Sequence, residues 1–87
     1  MAEEKKHRVN VKIYHEEYTM CGTAAPDYLK RLAQYVDEKM RQIGAANSRL
    51  GTSKVAILTA VNLADELFRA QKRVRELESL FKKKNAK

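Results

Sequence analysis

The 87-residue sequence contains one cysteine, two histidines and three glycines, so it has few of the residues that build metal and catalytic sites. Cys21 cannot form a disulfide within the chain, and it makes no metal-ligand spacing with His7 and His15. Cys21 also lacks the His and Asn or Asp partners of a catalytic thiol, which favours a buried or half-buried structural side chain. Three glycines form no phosphate-binding loop. These shortages argue against an enzyme, a metal site and a bound cofactor.

Carboxylates are present, but their spacing does not suit acid–base catalysis. Two adjacent pairs lie in helical patterns, Asp37-Glu38 and Asp65-Glu66. Neighbouring residues on a helix point about 100° apart, so neither pair resembles a catalytic dyad. All four side chains are predicted to be solvated charges.

Long apolar runs are also absent. No stretch reaches the roughly 18 apolar residues of a membrane-spanning helix. The charged start MAEEKKHR is not followed by the apolar core of a signal peptide, and the lone cysteine fits a reducing compartment. We therefore expect one cytoplasmic domain. Because a chain this short buries only a modest part of its surface, a second copy is a common supplement.

The formal net charge of +7 is concentrated near the C-terminus, where residues 69–87 contain eight basic and two acidic residues. Such a segment is either a solvated chain end or a surface for nucleic acid or membrane lipid. Its single aromatic residue, Phe81, and the lack of a recognised DNA-binding motif argue against nucleic acid. Its narrow apolar stripe argues against membrane insertion. A nucleic-acid-associated coiled-coil dimer remains the alternative function.

Residues 9–22 show the alternation of a β-hairpin with one apolar face. The apolar positions are Val9, Val11, Ile13, Tyr18 and Met20. The turn is expected near residues 15–17, where no Asn-Gly or Asp-Gly pair identifies its type. A two-stranded hairpin alone is marginal in water, so we expect helices to cover its apolar face.

Pro26 and Asp27 suit the first turn of a helix. The apolar residues that follow recur at spacings of three and four and form one stripe. These residues are Leu29, Leu32, Val36, Met40 and Ile43. Gly44 is the predicted C-cap.

A second helix is predicted to begin at Thr52 or Ser53 and to continue without Gly or Pro to about Lys84, a length of about 45 Å. One apolar stripe in heptad register follows its whole length: Ala56, Ala60, Leu63, Leu67, Ala70, Val74, Leu77 and Phe81. A second stripe ends halfway: Ile57, Val61, Ala64 and Phe68. A helix that is apolar nearly all round is buried, whereas a single seam meets a single partner. The first half should therefore lie in a globular head, and the second half should project.

The predicted fold is α+β: a small head of a β-hairpin packed on two helices, with the second helix extending into a C-terminal coiled coil. The expected divisions are a flexible N-terminus (1–7), the head (8–68), the coiled-coil extension (69–84) and a disordered basic tail (85–87). The seam beyond Arg69 has no partner in its own chain, which predicts self-association. The expected interface residues are Asn62, Leu63, Leu67, Ala70, Val74, Leu77 and Phe81. Asn62 lies either at the margin of the core or at the interface, where it would fix pairing.

The order of these elements resembles the ZapA family of bacterial cell-division proteins, in the short form typical of Gram-positive bacteria. The most specific segments are YVDEKM and VAILTAVNLADEL, and the resemblance covers roughly residues 9–80. It implies a cytoplasmic dimer, able to pair into a tetramer, that binds the tubulin-like protein FtsZ at mid-cell. It also implies that the protein aligns or cross-links FtsZ filaments and promotes the Z-ring. The acidic turn (Glu16, Glu17) and the shorter coil differ from some relatives.

The residues that would contact FtsZ are expected at exposed polar positions of the head. Arg41, Arg49 and Lys54 cluster in sequence around the interhelix loop, where they are predicted to be unpaired and without helical constraint. Loops carry function more often than scaffolds do, and the resemblance implies an acidic partner. Glu16 and Glu17 on the hairpin are the second choice.

Overall fold

A computed structural model describes residues 5–85 of the chain. The elements follow the predicted order: strand β1 (His7–Ile13), strand β2 (Glu16–Gly22), helix α1 (Pro26–Ala46) and helix α2 (Thr52–Asn85). A two-stranded antiparallel hairpin followed by two helices, the second of them long, confirms the predicted fold class. Residues 1–4, 86 and 87 lie outside the described residues, and so do the predictions of a flexible start and a disordered tail there.

The hairpin turn consists of two residues and not of the predicted three. Val9 pairs with Met20 and Ile13 with Glu16, which leaves Tyr14 and His15 as the turn. Both turn residues have positive φ, 48° and 73°, as a type I′ turn requires. Glu16 and Glu17 therefore belong to β2, and the prediction of an acidic turn is wrong. Asn-Gly, the usual signal for this turn, is absent, so the sequence pattern did not locate it.

Contacts with α1 hold this unusual turn in place. The Tyr14 N–H donates a 2.7 Å hydrogen bond to Oδ1 of Asp37. The Tyr14 ring lies against Gly44, where an added β-carbon would overlap the tyrosine hydroxyl oxygen. Gly44 is thus an interior residue of α1 and not the predicted C-cap, and its lack of a side chain lets the Tyr14 ring lie close to the helix. The cap is Asn47, whose backbone N–H and side-chain Nδ2 both donate to the Ile43 carbonyl.

Helix α1 lies between the hairpin and α2. The core under β1 consists of four buried residues: Val9, Val11, Leu29 and Ala33. On the other side of α1, α2 contributes the buried residues Val55 and Thr59. The Thr59 hydroxyl is satisfied because it donates to the Val55 carbonyl at 2.7 Å. α1 makes the main helical contact with the hairpin, through β1, and Tyr18 on β2 remains 45% exposed.

The two helices run side by side near the interhelix loop and then diverge. In the described residues, the hydrogen bonds and ion pairs between their side chains join Tyr35 and Lys39 of α1 to Glu66 of α2. Every described side chain of α2 beyond Glu66 is exposed. The radius of gyration is 18.0 Å, against about 12 Å for a compact chain of this length. The molecule is accordingly a flat, open shape of 55 × 46 × 16 Å.

The second apolar stripe of α2 is not buried in the head, and this prediction is wrong for the single chain. Ile57, Val61 and Phe68 are 63%, 62% and 66% exposed. The side of α2 that faces α1 carries other residues, at spacings of four, four and three: Val55, Thr59, Leu63 and Glu66. At about 100° per residue, the second stripe lies on the opposite side of the helix. The apolar pattern therefore indicates a surface that this chain does not cover by itself.

Two smaller predictions also need correction. Cys21 is exposed and not structural, because it lies on the polar face of the hairpin with Thr19, whose hydroxyl donates to Asn10 Oδ1 at 2.9 Å. Asn62 is exposed, so its placement at the margin of the core is wrong, whereas its placement at a self-association interface stays a prediction. In the described part of the chain, no helix is both long enough and apolar enough to cross a membrane.

Candidate functional site

Across residues 5–85, no three His, Cys, Asp or Glu side chains lie close enough to hold a metal ion. Every buried side-chain nitrogen or oxygen in that range has a hydrogen-bond partner. The residues predicted to bind partners lie in two exposed regions: one end of the head and the exposed sides of α2.

The first region is formed where the hairpin turn meets the interhelix loop. The Tyr14 ring lies against Gly44, which is only three residues before the cap Asn47. The start of β2, the end of α1 and the start of α2 consequently come together at one end of the head. We call this region the loop end; it comprises residues 14–17, 41–51 and 54. All five residues predicted to contact FtsZ fall within it.

Arg41 is neither unpaired nor free of helical constraint, contrary to the prediction. It lies within α1, and its Nη2 is 2.6 Å from Oδ2 of Asp37. Asp37 is only 6% exposed and accepts the Tyr14 N–H through its other oxygen. That backbone hydrogen bond, aided by Arg41, lowers the pKa of Asp37 against the opposing effect of partial burial. Asp37 is thus a structural residue and not a solvated charge. Arg41 supports the turn indirectly, because it pairs with the carboxylate that binds the Tyr14 N–H.

Arg49 and Lys54 are the exposed cations of the loop end. Arg49 lies in the turn at 47–49, and Lys54 lies in the first turn of α2 and not in the loop. Neither residue has a carboxylate within ion-pair distance anywhere in residues 5–85. Lys54 also borders a shallow apolar depression lined by Leu50, Ile57 and Leu58. The sequence analysis missed this combination of positive charge and apolar surface. The only hint in the sequence was Leu50, a large apolar residue in an otherwise polar loop.

Glu16 and Glu17 lie side by side in sequence but have different surroundings. The Tyr18 hydroxyl donates to Oε2 of Glu16 at 3.1 Å, and this bond raises the pKa of Tyr18. Glu17 is opposite Lys12 in the hairpin register, an attractive cross-strand position. Both carboxylates therefore have neighbours within the hairpin, which makes them weaker candidates for a partner than Arg49 and Lys54.

At the point where the helices diverge, three side chains form a cluster that we call the vertex cluster: Tyr35, Lys39 and Glu66. Glu66 accepts the Tyr35 hydroxyl at 2.5 Å through Oε1 and pairs with Lys39 through Oε2. These bonds, that from Lys39 first, lower the pKa of Glu66, and the hydrogen bond to Glu66 raises the pKa of Tyr35. The Lys39 ammonium also lies 5.6 Å from the Tyr35 ring centroid. Glu66 is therefore a structural residue and not the solvated charge that was predicted.

The second region consists of the exposed apolar side chains of α2. Of the residues predicted for the oligomer interface, Leu63 is half-buried on the side facing α1. The others are exposed: Asn62, Leu67, Ala70, Val74, Leu77 and Phe81. On the same helix, Nη1 of Arg73 is 3.9 Å from Oε1 of Glu76. A contiguous apolar seam left in water marks an interaction surface.

Comparison with protein families gives a match over nearly the whole chain. The family model described as cell division protein ZapA matches residues 9–87. The cell division protein ZapA of Geobacillus sp. (strain WCH70) is 40% identical over 86 residues, which cover 98% of this chain and 99% of the relative. That of Halalkalibacterium halodurans is 40% identical over 74 residues, covering 85% of this chain and 81% of the relative.

Solved structures show the same architecture. A ZapA mutant dimer from Geobacillus stearothermophilus superposes with a TM-score of 0.72 at 34% identity, covering 94% of this chain and 95% of that one. A conserved bacterial protein of unknown function from Pseudomonas aeruginosa PAO1 gives a TM-score of 0.68 at 28% identity, covering 88% and 86% of the two chains. The first is a dimer, in agreement with the exposed seam of α2.

Proposed function

Because this chain belongs to the ZapA family of cell-division proteins, we propose that it is a self-associating adaptor that binds FtsZ and cross-links its filaments. The observation that carries the proposal is the pairing of a small head with a long helix whose apolar sides are exposed. Self-association through α2 joins two or more heads, and each head binds a filament. In this proposal the protein acts at the division site and promotes Z-ring assembly without catalysis or a cofactor.

The proposed mechanism is multivalency. Binding of one head to a filament is weak, but a second head on the same assembly then meets its target at an effective concentration in about the millimolar range. Filaments are thereby aligned without any new contact in the head. Pairing of dimers into tetramers would add heads to the same assembly and strengthen the effect.

Within the head, we propose that Arg49, Lys54 and the apolar depression beside Lys54 contact FtsZ. Their free charges and adjoining apolar surface combine the two features that a protein interface uses, a charged rim and an apolar centre. Arg41 acts indirectly, since its guanidinium is held by Asp37. Glu16 and Glu17 remain the second choice at the same end of the head.

A co-sedimentation assay with polymerised FtsZ tests this proposal. The variant Arg49→Glu/Lys54→Glu should no longer pellet with polymers at ordinary salt, while its oligomer mass stays unchanged. The matched control is Lys72→Glu/Lys83→Glu, which makes the same charge change on the exposed outer side of α2. That control should pellet as the unmodified protein does. If the loop-end variant still bundles filaments, Arg49 and Lys54 are not the contact and Glu16 and Glu17 are tested next.

The alternative function, association with nucleic acid, is favoured only by the exposed basic residues of α2 beyond Glu66. For this function the same double variant is the informative one and not the control. Lys72→Glu/Lys83→Glu would then lose DNA binding and flatten its dependence on salt, because fewer phosphates are neutralised. Absence of salt-dependent DNA binding in the unmodified protein would eliminate this function.

A further inference from the structure

The outer edge of β2, on the side away from β1, is open in the described part of the chain. The two-residue turn makes Ile13 and Glu16 a hydrogen-bonded pair, and such pairs alternate with non-bonded ones along an antiparallel ladder. The backbone N–H and C=O groups of Glu17, Thr19 and Cys21 therefore point away from β1. Among the described residues, no backbone–backbone hydrogen bond joins either strand to a part of the chain outside the hairpin. The outer edge of β2 consequently offers a row of backbone donors and acceptors to another strand.

The two edges of the hairpin differ in how well they are protected. Folded proteins protect open edges with charged side chains, proline or β-bulges. β1 carries the exposed residues Arg8 and Lys12 near its two ends. β2 has neither a charged residue nor proline from residue 18 to residue 22, and its register with β1 is continuous. The outer edge of β2 is therefore the more accessible of the two.

The apolar side of the hairpin also extends beyond the part that α1 covers. Tyr18 and Met20 are paired with the buried residues Val11 and Val9, so they point to the same side of the hairpin. α1 packs mainly on β1, and consequently Tyr18 is 45% exposed and Met20 is half-buried. Because side chains alternate between the two sides of a strand, a strand added beside β2 would place every second residue next to Tyr18 and Met20. Apolar residues at those positions would be partly removed from water.

We propose that the outer edge of β2 binds an extended peptide segment of a partner protein, which becomes a third strand of the sheet. The segment alternates apolar and polar residues, and it carries a lysine or arginine next to Glu17. In this mode of recognition the main-chain hydrogen bonds supply affinity and the alternate side chains supply specificity.

The acidic start of β2 favours a basic segment. Glu16 and Glu17 are exposed, and neither has a cation within ion-pair distance among the described residues, since Lys12 opposite Glu17 stays beyond that distance. The β2 strand of a second copy would bring no cation, because residues 16–22 contain none. The edge is also distinct from the proposed FtsZ contact at Arg49 and Lys54, so the inference goes beyond that function.

A peptide with blocked ends and the length of β2, Lys-Val-Thr-Val-Lys-Val-Thr, tests this proposal without FtsZ, so its failure leaves the proposed function untouched. Fluorescence anisotropy of the labelled peptide should give a Kd of about 0.1 mM or lower with the unmodified protein. Two further versions are N-methylated, one at the valines and the other at the residues between them. Successive N–H groups point to opposite sides of a strand, so one version should bind at least about tenfold more weakly and the other should keep its affinity. The version that loses affinity shows whether the added strand is antiparallel or parallel to β2.

Two matched variants of the protein test which edge is used. Thr19→Pro and Asn10→Pro each remove one outward-pointing N–H, and both lose the 2.9 Å hydrogen bond between these two side chains. Thr19→Pro should raise the peptide Kd about tenfold or more, and Asn10→Pro should leave it within about twofold. A second pair tests charge: Glu17→Lys should weaken binding about threefold, and Glu38→Lys on the exposed side of α1 should not. Circular dichroism monitors folding, and if a proline variant unfolds, the N-methylated peptides and the charge pair decide.

Each other result overturns the proposal. Absence of binding at about 1 mM peptide would show that the edge accepts no added strand. Equal affinities of the two N-methylated versions would mean that no one-sided backbone ladder forms. A loss with Asn10→Pro as large as that with Thr19→Pro would mean that the outer edge of β2 is not the site. A changed oligomer mass of Thr19→Pro in sedimentation would mean that a second copy of the chain, and not a partner peptide, occupies this edge.

Discussion

Around the hairpin turn, the Tyr14 N–H, the Asp37 carboxylate and the Arg41 guanidinium satisfy one another within one chain. Beyond Glu66, by contrast, α2 presents Val74 and Leu77 to water. The first region is complete in a monomer, whereas the second needs a partner to bury its apolar seam. We therefore expect the head to keep one shape whether copies of the chain are associated through α2 or separate. Substitutions in the two regions should therefore affect different measurements.

The largest effect is expected in the seam. Leu77→Glu, or Val74→Asp, places a charge where an apolar contact with the second copy is expected, so the dimer Kd should rise by about a hundredfold or more. The head should stay folded, so the circular dichroism spectrum should change little. Sedimentation velocity measures the assembly, and Ser79→Glu on the outer side of the same helix is the control. A Leu77→Glu protein with the mass distribution of the unmodified protein would show that the seam is not the interface.

A smaller effect on folding, and none on the seam itself, is expected at Asp37. Asp37→Ala removes the acceptor of the Tyr14 N–H and should lower the free energy of unfolding by about 1.5–3 kcal/mol. Arg41→Ala removes only the exposed partner and should cost less than about 1 kcal/mol. Urea unfolding at fixed protein concentration compares the two. Equal losses in both variants would mean that the ion pair, and not the turn anchor, stabilises this end.

Gly44 gives a subtler test of the same region. Alanine is favoured over glycine inside a helix by about 1 kcal/mol, yet a β-carbon here would overlap the Tyr14 hydroxyl oxygen. Gly44→Ala should therefore fail to stabilise the protein. In a Tyr14→Ala background the overlap is gone, and the same substitution should raise the free energy of unfolding by about 1 kcal/mol. Identical effects in both backgrounds would show that Tyr14 does not restrict this position.

The smallest effect is expected at the C-terminus. Deleting residues 82–87 removes the exposed residues Lys82, Lys83 and Lys84 together with residues 85–87, and leaves the apolar seam residues up to Phe81. Oligomer mass, measured by light scattering, should hardly change, and FtsZ bundling should persist. Loss of bundling with intact assembly would transfer the binding site from the head to the basic end of α2.

The elements of the fold were predictable because their signals are local. Alternation across residues 9–22, the stripe of α1 and the uninterrupted run after Thr52 each depend on near neighbours in the chain. The Tyr14–His15 turn was not predictable, since it depends on Asp37 and Gly44 far along the sequence. For the same reason, Asp37 and Glu66 resembled surface charges in the sequence. Asp37 in fact accepts the distant Tyr14 backbone N–H, and Glu66 is bound by the side chains of Tyr35 and Lys39.

The candidate site was predicted only in outline. Arg49 and Lys54 are exposed cations at the loop end, as expected, but the commitment of Arg41 to Asp37 needed the structure. The second stripe of α2 was assigned to the head because apolar periodicity shows which side is buried and not which chain buries it. Ile57 and Val61 show this limit, since their side of α2 faces away from α1.

The vertex cluster has a mechanical consequence for an adaptor. α2 continues for 19 residues beyond Glu66, an arm of about 28 Å. With such a lever, a tilt of about 10° at the fulcrum formed by Tyr35, Lys39 and Glu66 moves the tip by about 5 Å. In the proposed assembly, the angle at this fulcrum would contribute to the spacing between heads joined through α2. Filament separation in a bundle would then be a quantity encoded at this fulcrum, well away from any surface that touches a filament.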